Sequence, residues 1–185
     1  HYDEVLFIQS GKGEFLSNFG KLKLKSGDYV VVPRGIIWKI EIDEPMRILV
    51  IESSGPVETP DRYRNRFGQL KEDAPYCERD IQTPEWMEPI KNIEPVDILV
   101  RLHGGFQTDT YKHHPFDLVG WAGFYFPWIF NINDFMPITG KVHLPPPIHQ
   151  TFQSSNFVIC SFVPRLFDYH KDAIPAPYAH SNVDS

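Results

Sequence analysis

Hydrophobic and polar positions change places every few residues through the first third of the chain. Val5 to Ile8 is an apolar run closed by Ser10-Gly11-Lys12-Gly13, and Phe15 to Leu24 alternates loosely around the turn signal Asn18-Phe19-Gly20. Ser26-Gly27-Asp28 marks another turn. Tyr29 to Val32 then reads as a buried strand stopped by Pro33-Arg34-Gly35. Ile36 to Ile42 alternates with Trp38, Ile40 and Ile42 on one face, and Arg47 to Glu52 is a further strand. Short strands punctuated this often predict an antiparallel barrel or sandwich half over residues 1–52, with Val5, Phe7, Val30, Val32, Trp38 and Ile40 in its core.

The pattern breaks at residues 53–95, where Pro56, Pro60, Pro75, Pro84, Pro89 and Pro95 interrupt charged stretches. Only Pro60 to Lys71 has room for a weak helix. Tyr63, Phe67, Tyr76 and Trp86 are spaced as packing anchors, so the segment is expected to be an ordered connection rather than a disordered linker. Strand signals return at Val96 to Leu102, Phe116 to Phe130 and Asn156 to Val163 within a β-rich segment over 96–185. The tail from Pro164 onward is loop-like, with Pro175 and Pro177 leading into Tyr178-Ala179-His180.

Composition narrows the function classes. Seventeen prolines against 12 glycines favour strands joined by stiff loops. A net charge of -6 argues against nucleic acid or an anionic membrane surface as partner. The longest apolar stretch, Leu118 to Phe130, is about 13 residues and contains Pro127, against roughly 20 for a membrane span. No signal peptide is visible at the N-terminus. Cys77 and Cys160 have no CxxC spacing and read as reduced, buried thiols of a cytoplasmic protein. The alternating Arg62, Arg64 and Arg66 read as a solvated face, with an anion or subunit contact as the sharper option. His113 and His114 are adjacent, so in an extended segment they cannot both serve one site. His170 reads as a surface residue.

Two spacings in residues 1–42 resemble cupin motifs. Glu4 and Gly11 fit the end of the first, and Gly27, Pro33 and Gly35 fit the second. The glycines and proline turn the chain at barrel corners, where other residues would be strained. The motif's histidine position holds Trp38. An indole nitrogen donates but has no lone pair for a metal, so Trp38 is expected to fill a core and the first barrel to be structural.

Several blocks carry a closer likeness. Pro115-Phe-Asp-Leu-Val-Gly-Trp121-Ala-Gly123-Phe-Tyr125-Phe-Pro127, ending at Asn131, resembles homogentisate 1,2-dioxygenases, as do Pro164-Arg165 and Pro177-Tyr178-Ala-His180-Ser-Asn182. Phe19-Gly20-Lys21 and Asp28 to Ile40 fit the same family's first-barrel strands. The resemblance implies an all-β, cupin-like sandwich or barrel of bicupin type, its first barrel degenerate and its second incomplete within this sequence. It implies a homo-oligomer that uses Fe(II) and O2 to open the ring of a small aromatic substrate, homogentisate, to maleylacetoacetate in tyrosine and phenylalanine catabolism.

Carried onto this sequence, the resemblance makes His180 an iron ligand in the context of Tyr178 and Asn182, which line the site. The family's carboxylate and second histidine ligands would fall beyond Ser185, which leads us to expect this chain to be inactive alone. Asp184 could substitute only through a tight turn at Asn182-Val183. His143 is the implied acid/base, since a neutral imidazole can accept a phenolic proton, with His149 as the alternative. Two other readings stand beside this one. One is a non-catalytic cupin-like fragment for structure or self-association. The other is a related cupin dioxygenase acting on a gentisate- or hydroquinone-like ring.

Overall fold

In a computed structural model, which describes residues 3–137 and 149–164, the chain is all-β. Its strands are β1 (Glu4–Ser17), β2 (Gly20–Leu24), β3 (Asp28–Val32), β4 (Trp38–Glu52), β5 (Ile81–Gln82), β6 (Val96–Leu102), β7 (Gly105–Tyr111), β8 (Trp128–Asn131), β9 (Gln150–Gln153) and β10 (Val158–Cys160). A six-stranded antiparallel sheet runs β2-β1-β3-β8-β5, and β4 pairs along the other side of β1. This sheet curls into a cupin-like half-barrel. It takes strands from residues 4–52 and also from 81–82 and 128–131. Two separate hairpins, β6-β7 and β9-β10, complete the described structure.

The sheet has two apolar faces. Leu6, Ile8, Phe15, Val30, Val32 and Ile129 cluster on one, with Trp38, Ile40, Met46 and Ile48 packed against them. Val5, Tyr29, Val31 and Phe130 cluster on the other, with Val57, Tyr63, Tyr76 and Phe152. Successive side chains of a strand point to opposite faces, so β3, flanked by β1 and β8, is buried at all five positions. The expected core is present: Val5, Val30 and Val32 are buried, and Phe7, Trp38 and Ile40 pack against it half-buried. Gly27 (φ +90°) and Gly35 (φ +83°) turn the chain at the predicted corners in the left-handed region.

Several expectations need correction. Ser10 to Gly13 does not end the first strand: β1 continues through it to Ser17. The segments 36–42 and 47–52 form one strand, β4, paired with β1 from Ser17↔Trp38 to Glu4↔Glu52. The register shifts three times between Ile8 and Gly13, opposite Pro45, so what reads as a turn is a bulged bend in two continuous strands. A Cβ on Gly13 would lie 2.3 Å from the Glu41 carbonyl oxygen, so only glycine lets the paired strands approach this closely there. Pro60 to Lys71 holds a single 3-10 turn, Asp61–Tyr63. Of the four anchors in the connection, Tyr63 and Tyr76 are buried, whereas Phe67 and Trp86 are exposed. Cys77 is exposed rather than buried, though both cysteines are free. The apolar run from Phe116 is irregular until Trp128, because Gly120 and Gly123 interrupt it at positive φ. β7, which begins after the turn at Gly104, was not anticipated.

Candidate functional site

The interior of the curl opens on a cleft of about 740 Å³, roofed by β6 and floored by Glu4, Val32, Ile36 and Trp38. Glu4 enters the curl because it shares a face with Leu6 and Ile8. Trp38 stacks on Phe15 with ring centroids 5.4 Å apart. Glu52 faces Glu4 across the β1-β4 pair, and like charges directly opposite repel. Arg101, from β6, answers this by reaching Glu52 at 3.0 Å. Burial raises the Glu4 carboxyl above its ordinary value, and Glu52 pushes the same way. Arg101 and hydrogen bonding from Trp38 oppose the shift. In the cupin-motif register, the tryptophan therefore stands beside the glutamate, where a histidine would have offered a lone pair.

Residues 115–131, whose spacing carries the family resemblance, run from the cleft, which Pro115 and Phe116 line, into strand β8 of the sheet. Phe116 is fully buried and lines the cleft, while His114 accepts a hydrogen bond from its backbone N–H at 3.1 Å. Desolvation and nearby Lys39 lower the His114 pKa, which favours the neutral ring. His113 instead pairs with Asp117 at 2.9 Å, so the two histidines serve different partners. Gly120 donates its N–H to the Asn18 carbonyl at 3.0 Å, and the Tyr125 hydroxyl donates to the Arg34 carbonyl. At the end of the block Asn131 donates its amide to buried Asp28 at 2.6 Å. Burial raises the Asp28 pKa, and the Asn131 amide and the Lys25 backbone N–H partly offset this. Leu118, Trp121, Phe124 and Tyr125 remain exposed.

On the opposite face, three tyrosines meet the β9-β10 hairpin. Tyr76 donates to the Thr151 carbonyl at 2.5 Å and Tyr63 to the Gln150 carbonyl at 2.8 Å. The Tyr29 hydroxyl lies 3.4 Å from the Ser161 hydroxyl, which is 2.5 Å from that of Thr151. Burial raises all three phenols, Tyr63 to about 12, and also raises the Cys160 thiol. These groups are therefore protonated near pH 7, not nucleophiles. His149 begins this segment, 2% exposed, with its ring 4.5 Å from that of Phe162.

His143, Tyr178, His180, Asn182 and Asp184 lie outside the described residues. Among the described residues no group of three His, Cys, Asp or Glu side chains is placed to hold a metal ion, and Glu4 beside Trp38 does not fit one. Arg64 is paired with Asp61 and Glu58, and Arg66 lies over the exposed Phe67 ring at 4.7 Å. Sequence reading missed Asp28, Glu52 and Arg101 as partners. Alternation could place Glu4 and Glu52 on strands, but only the β1-β4 register sets them side by side.

A curled antiparallel sheet with cupin-like corners, in which a buried Asn–Asp pair ties β8 to β3, defines the class as a cupin-like all-β protein. The profile described as "Homogentisate 1,2-dioxygenase N-terminal" matches residues 2–132, and the chain belongs to that family. It is 39% identical over 184 residues to a protein of Saccharolobus solfataricus provisionally named a dioxygenase, covering all of this chain and 47% of that one. It is 28% identical over 193 residues to the homogentisate 1,2-dioxygenase of Nitrobacter hamburgensis, covering 98% of this chain and 42% of that protein. With the homogentisate 1,2-dioxygenase of Caenorhabditis elegans the identity is 26% over 193 residues, with coverages of 99% and 43%. The chain spans less than half the length of these curated relatives. No helix among the described residues is long and apolar enough to cross a membrane.

Proposed function

We propose that the chain is part of an Fe(II)-dependent dioxygenase that inserts both atoms of O2 into homogentisate to give maleylacetoacetate. The family match over residues 2–132 carries this reading, together with relatives named for that reaction. Bound iron would supply the oxygen chemistry. This chain's contribution to holding it is His180, flanked by Tyr178 and Asn182, with the other ligands drawn from sequence beyond Ser185. His143 accepts a phenolic proton of the substrate. The burial of His149 against Phe162 supports giving that role to His143. The described residues then act as scaffold, with Glu4 and Trp38 in the first curl taking no part in oxygen chemistry. The protein is a cytoplasmic homo-oligomer in this reading, and its unbridged cysteines agree with a reducing compartment.

The test is iron content and homogentisate-dependent O2 uptake of the native-length protein, beside a panel of dihydroxyphenyl acids that includes gentisate. Stoichiometric iron with uptake on homogentisate alone is the expected result. Iron with uptake on gentisate instead would move the substrate. A native-length protein without iron would favour the non-catalytic scaffold, the second reading. Trp38, stacked on Phe15 in the motif's histidine position and without a lone pair for a metal, favours that reading for this part of the protein.

A further inference from the structure

We propose that the outer edge of β4, from Met46 to Glu52, docks a β-strand supplied by the part of the native polypeptide lying outside this chain. The inference rests on family membership and not on the proposed reaction. β4 is 15 residues long, and among the described residues it pairs only with β1. An open strand edge presents a row of unpaired N–H and C=O groups, and proteins blunt such edges with charge, proline and bulges. The first half of β4 is blunted in this way. It carries Glu41, Asp43, Glu44 and Pro45, with the Lys39–Glu41 and Lys12–Glu44 ion pairs at 2.7 and 2.9 Å.

The second half is not. After Arg47 come Ile48, Leu49, Val50 and Ile51, of which Leu49 is 58% and Val50 52% exposed. These two neighbours point to opposite faces of the sheet. Leu49 lies opposite Phe7, on the face of the Val5 cluster, and Val50 lies opposite Leu6, on the face of the other cluster. A helix or small molecule laid on one face would leave the other in water. Only a strand that extends the sheet covers both and also satisfies the edge. Relatives of which this chain spans 47% and 42% have ample further polypeptide to supply one.

Hydrogen exchange of the native-length protein, with mass-spectrometric fragment readout, tests the proposal without a mutation. All amides from Arg47 to Ile51 are expected to be protected as strongly as those of β3, and to stay so on dilution to the lowest measurable concentration. An open edge would instead leave every second amide of β4 exchanging freely, and that result overturns the proposal. Protection lost on dilution, together with a fall in molar mass, would assign the edge to a second copy and also overturns it. So would an intact mass equal to the 185-residue chain. Leu49→Lys and Val50→Lys in the native-length protein should each lower Tm by about 3 °C or more, whereas Glu41→Lys on the blunted half should shift it by about 1 °C or less. Equal, small shifts for all three overturn the proposal. Loss of iron or activity with this protection intact would count against the proposed reaction and leave the docking edge standing.

Discussion

At the scale of single residues, the pair Asp28–Asn131 shows what a local reading can and cannot see. Asn131 closes the most specific block of the sequence, and its importance was legible there. Its partner was not, because the two lie 103 residues apart and meet only through the β3-β8 register. Asn131→Ala would leave a buried carboxylate without its amide donor, a loss of about 2 kcal/mol in stability. The amide favours the charged form of Asp28, so its removal raises that pKa further. The destabilisation is expected to be largest at neutral pH and to shrink as acid protonates Asp28, which denaturant titrations at several pH values would show. Glu4 poses the reverse case. Its raised pKa means that the folded protein holds the proton more tightly than the unfolded chain does. That stabilisation is present below the unfolded value and is lost as pH rises through the folded one. The neutral isostere in Glu4→Gln is therefore expected to raise Tm at pH 7, by about 1–3 °C, and to change it little at about pH 4.

At the scale of elements, strands rich in β-branched residues were legible and their limits were not. Tyr29 to Val32 and Val96 to Leu102 declare themselves by composition. The β1-β4 pair reads as four pieces because Gly11, Gly13 and Pro45 look like breaks, while the backbone uses them to bend without losing its partner. β7 is polar enough, with Gln107, Thr108, Asp109 and Thr110, to pass for loop, and it is a strand because it folds back on β6. Phe67 and Trp86 were expected to anchor the connection on size alone. Tyr63 and Tyr76 do so because each has a hydroxyl that reaches a carbonyl of the β9 segment. Tyr76→Phe keeps the ring packing and strands the Thr151 carbonyl, so it should cost about 1–2 kcal/mol. Amide exchange should accelerate first in Gln150 to Gln153, ahead of the β1-β4 pair.

At the scale of the molecule, the all-β, cupin-like character was legible from the corner glycines and prolines, whereas the sheet's composition was not. The sequence divides by pattern at residues 52 and 95, yet the six-stranded sheet gathers strands from residues 4–52, 81–82 and 128–131. Nothing in the local pattern reports that Ile81 and Gln82 pair with β8. The proposed iron site belongs to this scale too, since in that reading His180 would be joined by ligands from the rest of the native-length protein. The native-length protein is expected to carry about one iron per chain and to lose both iron and oxygen uptake in His180→Ala, as metal analysis and an oxygen electrode would show. The 185-residue chain alone should retain little iron and turn over homogentisate negligibly, because one imidazole cannot hold Fe(II) against water.

The nesting of β2 and β3 inside the β1-β4 pair also bears on how the chain finds its fold. Pairing can begin where Ser17 meets Trp38 and close outward, residue by residue, to Glu4 and Glu52, so each step adds little loop-closure entropy. β8 has no such gradual route. It must reach β3 across some hundred residues, and such distant pairings form slowly. Until it arrives, one flank of the fully buried β3 stands open. The family's most specific block thus completes the sheet at the moment when the nascent chain is most apt to stick to its neighbours.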